Sequence, residues 1–160
     1  MAKSLGGGFP IGAFWLREPL GTLLGPGTHG TTYGGGPLGC AVALKIMEVI
    51  ERDNLAGNVR SVGEHLMQQL LRLQTEIPEI ITNVRGLGFM LGVEFAADLA
   101  GLKVEGKLPA AVFSTRAMEA GLLVIPAGAR VIRLLPALNL TKAEADEGLE
   151  VLQQLFKTLA

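Results

Sequence analysis

The sequence predicts an α/β protein whose C-terminal part is of the α+β type, and three patterns lead to this prediction. Apolar residues recur at helical spacing across residues 37–73. Two β-rich runs flank a glycine-containing turn between Ile80 and Phe95. A capping box at Thr141 opens a last amphipathic helix. With 160 residues, of which 49% are hydrophobic, the chain is long enough to bury a core.

The charge and cysteine content exclude several classes of protein. Lys and Arg number 14 against 15 Asp and Glu, so the net charge is -1 and no basic field favours nucleic acid. Cys40 is the single cysteine, which excludes an internal disulfide framework and favours a reducing compartment. Neither a targeting segment nor a membrane-length apolar run is found in the sequence. We therefore expect a cytoplasmic protein that binds neither nucleic acid nor membrane.

The first third of the chain is rich in glycine and then becomes helical. Residues 1–36 show little helical periodicity, and we predict loop, a short strand over Ile11–Leu16, and loop again. Pro37 suits a first helical position, and the apolar spacing after it predicts a helix to Asp53. A second amphipathic helix is predicted from Leu55 to near Pro78.

The remainder alternates between strand and helix. Strand, tight turn and strand are predicted around Arg85–Gly88, followed by an exposed loop over residues 97–108. A short helix over Ala110–Ala120 ends at Gly121. Two short strands are then predicted, Leu122–Ile125 and Val131–Leu135.

The last helix has the clearest signals. Thr141 and Glu144 form a capping box, and Leu140 and Ala145 are placed for a hydrophobic staple. Its apolar stripe consists of Leu149, Leu152, Leu155 and Leu159. The α+β pattern begins after the long helices, so we predict a domain boundary that separates residues 1–75 from residues 76–160.

Lys3 is the first candidate for chemistry. It precedes three glycines, which let backbone approach a ligand closely, and Leu5 and Phe9 are apolar neighbours. A lysine amine becomes a nucleophile when it leaves water or lies near another cation. On spacing alone, a solvated lysine near a chain terminus is the commoner interpretation.

Two further positions could bind anions. The hydroxyls of Thr31 and Thr32 lie among glycines that suit an anion, although on the residues alone ordinary turn chemistry is the preferred explanation. The segment 25–30 fits a bare GxGxxG, but no strand precedes it and no helix opens on it, so a dinucleotide site is not predicted. Arg133 lies in an apolar strand, where its planar fork suits a carboxylate or where it faces solvent.

Histidine and cysteine do not predict a metal site. His29 and His65 have no partner ligand at metal spacing. We interpret His29 as a loop residue and His65 as a helix-surface residue. Cys40, near the start of an apolar helix, is interpreted as a small buried hydrophobe. Arg85 is interpreted as a structural charge where the hairpin begins.

Several long motifs together resemble one family. AKSLGGGFPIGA around Lys3 and GPGTHGTTYGGGPLGCAVAL after it resemble class III pyridoxal-phosphate-dependent aminotransferases, in the same order and at the same separation. The similarity continues through VRGLGFMLGVEF, GLLVIPAG and VIRLLPALNLT and covers essentially the whole chain. Two positions depart from the family pattern, Gly36 in place of asparagine and Ala137 in place of a second proline. Within the family, these motifs are most similar to those of the acetylornithine and ornithine aminotransferases.

The resemblance implies a set of roles. Lys3 would be the catalytic residue that carries pyridoxal 5'-phosphate, Thr32 would bind the cofactor phosphate of the other subunit, and Arg133 would bind the substrate carboxylate. No metal is implied. The chain would be the C-terminal portion of a fold-type I transferase, with residues 1–75 ending the large cofactor-binding domain and residues 76–160 forming the small domain.

The same resemblance implies the reaction and the partners. The complete enzyme would be a homodimer that moves an amino group between an acetylornithine-type or ornithine-type amino acid and a 2-oxo acid, 2-oxoglutarate. Ornithine or 4-aminobutyrate transamination is the near alternative, and a non-catalytic α+β interaction module is the other. Since most of the large domain precedes the lysine in this family, we expect the isolated chain to be inactive alone.

Overall fold

The structure, a computed structural model, describes residues 1–159. It divides into two compact units, Met1–Leu55 and the residues from Ala56 onward. Helices and strands follow one another in an order that confirms the predicted α/β class. Within residues 1–159, none of the helices combines the length and the apolar character that a membrane crossing requires.

The N-terminal unit contains a 3-10 helix over Lys3–Gly6 and two α-helices, α1 (Glu18–Gly21) and α2 (Pro37–Arg52). The predicted helix after Pro37 is therefore confirmed. Gly36 is the N-cap of α2 and provides no side-chain cap, so the first amides of α2 keep their capacity to bind an anion.

The strand predicted over Ile11–Leu16 is wrong. These residues have no regular structure, and within the described residues their backbone pairing is limited to Ala13, which exchanges two hydrogen bonds with Met1 at 2.9 and 2.5 Å. A β-strand needs a partner along its length, and apolar content alone does not provide one. Phe14 and Trp15 remain 65% and 79% exposed.

The C-terminal unit packs three helices against one small sheet. Its elements are α3 (Leu55–Glu76), β1 (Ile81–Leu87), β2 (Met90–Phe95), α4 (Pro109–Glu119), β3 (Ile125–Pro126), β4 (Val131–Leu134) and α5 (Lys142–Lys157). The strands lie in the order β1-β2-β4-β3, and all neighbours are antiparallel. The long helix, the hairpin, the short helix and the last helix are thus confirmed.

The sheet buries one face. In β2, the buried Leu91, Val93 and Phe95 alternate with residues of the other face, as a half-buried strand requires. The core also takes side chains from all three helices, including Leu66, Leu70, Phe113, Leu149, Leu152 and Phe156. Since α3 contributes Val62 and Leu73 to this core, it belongs structurally with the C-terminal unit. The assignment of residues 1–75 to a large domain stays a prediction.

Three local predictions need correction. The hairpin turn is Gly88-Phe89, so Arg85 lies inside β1 and not where the hairpin begins. The strand predicted over Leu122–Ile125 is reduced to Ile125–Pro126. The supposed exposed loop over residues 97–108 contains a 3-10 helix whose Leu102 is fully buried, because apolar side chains in a polar segment can still cover the end of a core.

The start of α5 follows the prediction in atomic detail. The Thr141 hydroxyl accepts a hydrogen bond from the Glu144 backbone amide at 3.2 Å, and the Glu144 carboxylate accepts one from the Thr141 amide at 2.8 Å. These bonds to the charged form lower the pKa of Glu144. Beyond the predicted stripe, Phe156 stacks on Phe113 with 5.1 Å between ring centroids.

His65 is not the surface residue that we predicted. Its Nε2 lies 2.5 Å from Asp146 Oδ1, and its side chain is only 17% exposed. The pair joins α3 to α5 across 81 positions of sequence. This contact fixes the two helices relative to each other within the C-terminal unit.

The surroundings of two helical glycines predict opposite effects of a glycine-to-alanine substitution on stability. An alanine normally stabilises a helix interior by about 1 kcal/mol relative to glycine. A β-carbon on Gly63 of α3, however, would lie 2.6 Å from the carbonyl oxygen of Gly88. At Gly148 of α5 the nearest atom is Leu122 Cδ1, at an ordinary 3.6 Å.

We therefore expect Gly63→Ala to lower the free energy of unfolding by about 2 kcal/mol, because overpacking against backbone exceeds the gain in helix propensity. Gly148→Ala should raise it by about 0.5 to 1 kcal/mol. Urea unfolding followed by circular dichroism measures both. Equal signs for the two variants would contradict the close approach of α3 to the hairpin.

Candidate active site

Lys3 begins the first 3-10 helix in an unusual backbone conformation. Its φ is +51°, a region that side chains other than glycine rarely adopt and that costs about 1 to 2 kcal/mol. The 3-10 helix is closed by hydrogen bonds from the Leu5 amide to the Ala2 carbonyl at 3.1 Å and from the Gly7 amide to the Ser4 carbonyl at 3.2 Å. A strained residue at the predicted cofactor position is the kind of feature that functional sites concentrate.

A glycine-lined cleft opens beside this lysine. It has a volume of about 390 Å³ and is lined by Lys3, Ser4, Gly7, Gly8, Phe9, Pro10 and Ile11. Gly7 lies tightly on α2, since a β-carbon there would be 2.7 Å from Ile46 Cδ1. Gly8, with φ +109° and no atom within 4 Å of a β-carbon position, leaves space for a ligand. Gly7 therefore allows the loop to pack against α2, and Gly8 leaves the cleft beside the loop open.

The apolar shield that we expected around Lys3 is incomplete. Lys3 is exposed, and Phe9 is 36% exposed. Leu5 is half-buried. Within the described residues, the removal of the amine from water that Leu5 and Phe9 were expected to provide is therefore not found.

The turn that contains Thr31 and Thr32, the threonine turn, lies next to a larger cleft. This cleft, of about 840 Å³, is lined by Thr31, Thr32, Tyr33, Gly34, Gly36 and the first residues of α2, and it shares Phe9, Pro10 and Ile11 with the cleft at Lys3. The two clefts therefore border the same short segment. Among residues 1–159, no hydrogen bond engages the Thr32 hydroxyl, whereas Thr28 Oγ1 donates to the Gly25 carbonyl at 2.7 Å.

The groups around these clefts fit pyridoxal 5'-phosphate. A primary amine is available at Lys3 to hold one cofactor. The hydroxyl of Thr32 and the uncapped amides of α2 suit a phosphate, which the resemblance assigns to the cofactor of the other subunit. The space left open at Gly8 admits a planar ring close to the backbone. Cys40, predicted to be buried, is exposed, and its thiol lies 3.6 Å from the Gly35 carbonyl oxygen.

Arg133 lies in the C-terminal unit, in the middle of the sheet. It belongs to β4 and pairs with Gly92 of β2 on one side and with Ile125 of β3 on the other. Its Nε atom is buried and has no hydrogen-bond partner within residues 1–159. A buried donor without a partner costs about 1 to 3 kcal/mol, and such an atom in a native structure calls for an explanation.

Arg133 has charged neighbours that sequence reasoning missed. Glu94 of β2 accepts a hydrogen bond from Arg85 Nη1 at 2.6 Å, and its other oxygen lies 3.6 Å from Arg130 Nη2. Arg130 also donates to the Phe95 carbonyl at 3.5 Å. The alternation of charged and apolar residues in VRGLGFMLGVEF contains the signal for this cluster, but only the strand register brings the charges together.

Comparison with known proteins identifies the family. The sequence model of the family "Aminotransferase class-III" matches residues 1–156. The chain belongs to the class III aminotransferases. It is 43% identical over 157 residues to acetylornithine aminotransferase 1 of Bordetella pertussis and 39% identical over 158 residues to acetylornithine aminotransferase of Synechocystis. These matches cover 98% and 99% of this chain but 37% and 35% of the two relatives.

Solved structures of aminotransferases agree with this membership. Ornithine aminotransferase from Plasmodium yoelii matches with a TM-score of 0.85 and 28% identity, covering all of this chain and 41% of that one. An amine transaminase from an uncultivated Pseudomonas species, solved in its PLP-bound form, matches with a TM-score of 0.68 and 34% identity over 83% of this chain and 30% of that one. This class III chain thus spans little more than a third of the length of the curated relatives reported above. The roles of Lys3, Thr32 and Arg133 stay predictions.

Proposed function

We propose that this class III chain provides the cofactor lysine, a phosphate-binding threonine and a substrate-binding arginine of an aminotransferase that acts on acetylornithine or a similar amino acid with 2-oxoglutarate. The observation that carries the proposal is the position of Lys3, a strained residue beside an open glycine cleft in a chain of this family. Similarity to acetylornithine and ornithine aminotransferases favours acetylornithine and ornithine as donors.

Each residue has one task in this proposal. Pyridoxal 5'-phosphate, when bound, supplies the electron sink for the reaction. The amine of Lys3 would hold the cofactor and, once displaced by the donor amine, would accept the proton of the substrate α-carbon and deliver it to the cofactor C4′ carbon. The Thr32 hydroxyl donates a hydrogen bond to the cofactor phosphate of the other subunit, and the Arg133 guanidinium pairs with a substrate carboxylate through two parallel hydrogen bonds.

Assembly and location belong to the same proposal. The exposed apolar side chains of the N-terminal unit, among them Trp15, Leu23 and Leu44, favour a contact with further polypeptide, which a homodimer of longer chains would provide. These side chains also favour the second candidate, a non-catalytic interaction module. A cytoplasmic location remains the prediction from the single cysteine. We further expect the chain alone to transaminate poorly, since it spans a minor share of its relatives.

Trapping of the cofactor distinguishes the two candidates. The purified chain is mixed with pyridoxal 5'-phosphate below one equivalent, reduced with borohydride, and mapped by mass spectrometry. We expect most of the label on Lys3, because the glycine cleft beside its amine leaves space for the cofactor there. Lys3→Arg keeps the charge and removes the reactive primary amine, so this variant should lose that label. Label spread evenly over exposed lysines such as Lys45 and Lys103 would favour the interaction module.

A further inference from the structure

The polar face of the sheet places one carboxylate between three arginines. Directly paired residues of neighbouring strands point to the same face, so Arg85, Gly92 and Arg133 form one row across β1, β2 and β4. Glu94 lies two positions from Gly92 along β2 and shares this face. The buried Leu91, Val93 and Phe95 occupy the opposite face.

The strand register places Glu94 diagonally opposite two of these arginines. Its direct partners are Asn83 on β1 and Val131 on β4, and Arg85 and Arg133 each lie two positions further along. Such diagonal neighbours lie about 7 to 8 Å apart, within reach of long side chains. Of these two arginines, Arg85 bonds to the Glu94 carboxylate at 2.6 Å, whereas Arg133 forms no ion pair in the part of the chain that the structure describes.

Arg130 forms an ion pair with the second oxygen of the Glu94 carboxylate. It precedes β4, and its Nη2 lies 3.6 Å from Glu94 Oε1 while Arg85 engages Oε2. Glu94 is 25% exposed, so a loss of its partners would leave a partly desolvated charge in need of a cation. Arg133, whose buried Nε has no partner, is the diagonal cation that remains.

We propose that Arg85 and Arg130 are positioning residues that hold Glu94 away from Arg133 and so keep the Arg133 guanidinium available for a substrate carboxylate. This inference rests on the proposed function of Arg133 and adds two residues to it. Gly92, paired with Arg85 on one side and with Arg133 on the other, contributes no side chain between them.

The test compares two variants of the chain. The double variant carries both Arg85→Met and Arg130→Met, and the triple variant carries Glu94→Gln in addition. The readouts are the Arg133 Nε–Hε NMR resonance without ligand, and the apparent affinity for glutarate from its titration. In the double variant we expect the resonance to move as Glu94 pairs with Arg133. If Glu94 occupies Arg133 in about 90% of molecules, the apparent glutarate affinity falls about tenfold.

Adding Glu94→Gln should return both readouts to the values of the unmodified chain, because an amide does not compete as a carboxylate does. A merely structural role for the arginines would not be rescued in this way. Arg72→Met, an exposed arginine on α3, controls for loss of positive charge. If the double variant does not fold, Arg85→Gln with Arg130→Gln takes its place with the same expectations.

Two results would overturn the inference. One is an unchanged Arg133 resonance and affinity in the double variant, and the other is a change that Glu94→Gln does not reverse. Failure of the proposed function looks different. In that case the Arg133 resonance of the unmodified chain does not respond to glutarate, whereas the ligand-free comparison still reports on the positioning role alone.

Discussion

Gly86→Ala is expected to destabilise the C-terminal unit by about 3 to 4 kcal/mol, from backbone strain and overpacking together. Gly86 of β1 has φ +146°, which side chains rarely tolerate. A β-carbon there would lie 2.1 Å from the Met90 carbonyl oxygen and 2.8 Å from Leu91 Cα. Both are backbone atoms of the paired strand, so β1 and β2 must separate to admit the methyl group. Urea unfolding followed by circular dichroism measures the loss.

Gly106→Ala separates the two causes of that loss. Gly106 also has positive φ, +71°, but nothing lies within 4 Å of its β-carbon position. It should therefore cost only the conformational part, about 1 kcal/mol. Similar losses for both variants would show that the hairpin is less tightly paired at Gly86 than its register indicates. Because Arg85 precedes Gly86, the first variant should also loosen the bond between Arg85 and Glu94.

The helices could be predicted from the sequence because their signals are local. Apolar spacing located α2, and the Thr141–Glu144 box located the start of α5, since capping depends on residues three apart. The hairpin was found for the same reason, because its two strands are joined by a two-residue turn.

Errors arose where structure depends on distant partners. The apolar run at Ile11–Leu16 looked like a strand, but pairing requires a second strand that the sequence pattern does not specify. The contact between His65 and Asp146 spans 81 positions, and no local pattern announces it. The exposure of Cys40 is likewise a matter of packing around α2 and not of its spacing along the chain.

The candidate site was predictable in its residues but not in its electrostatics. Motif resemblance singled out Lys3, Thr32 and Arg133, and the structure adds a strained backbone at Lys3 and a buried donor at Arg133. Neither the φ of Lys3 nor the register that surrounds Glu94 with arginines follows from composition or periodicity. These features depend on the fold, and they suggest how the roles implied by the motifs could be performed.

Arg133→Met is expected to change stability and ligand binding in opposite directions. Methionine keeps much of the side-chain length and removes the buried, unpaired Nε, so the free energy of unfolding should rise by about 1 kcal/mol. Glutarate binding should weaken by about 2 kcal/mol or more, because the guanidinium that pairs with the carboxylate is gone. Arg133→Lys keeps the charge without the planar fork, and its affinity should fall between those of the other two chains. Urea unfolding and isothermal calorimetry on the three chains measure both quantities. A buried donor that is retained for a ligand destabilises the fold when the ligand is absent, which is why the two quantities should change in opposite directions. If Arg133 instead served stability, Arg133→Met would be less stable and would bind glutarate as the unmodified chain does.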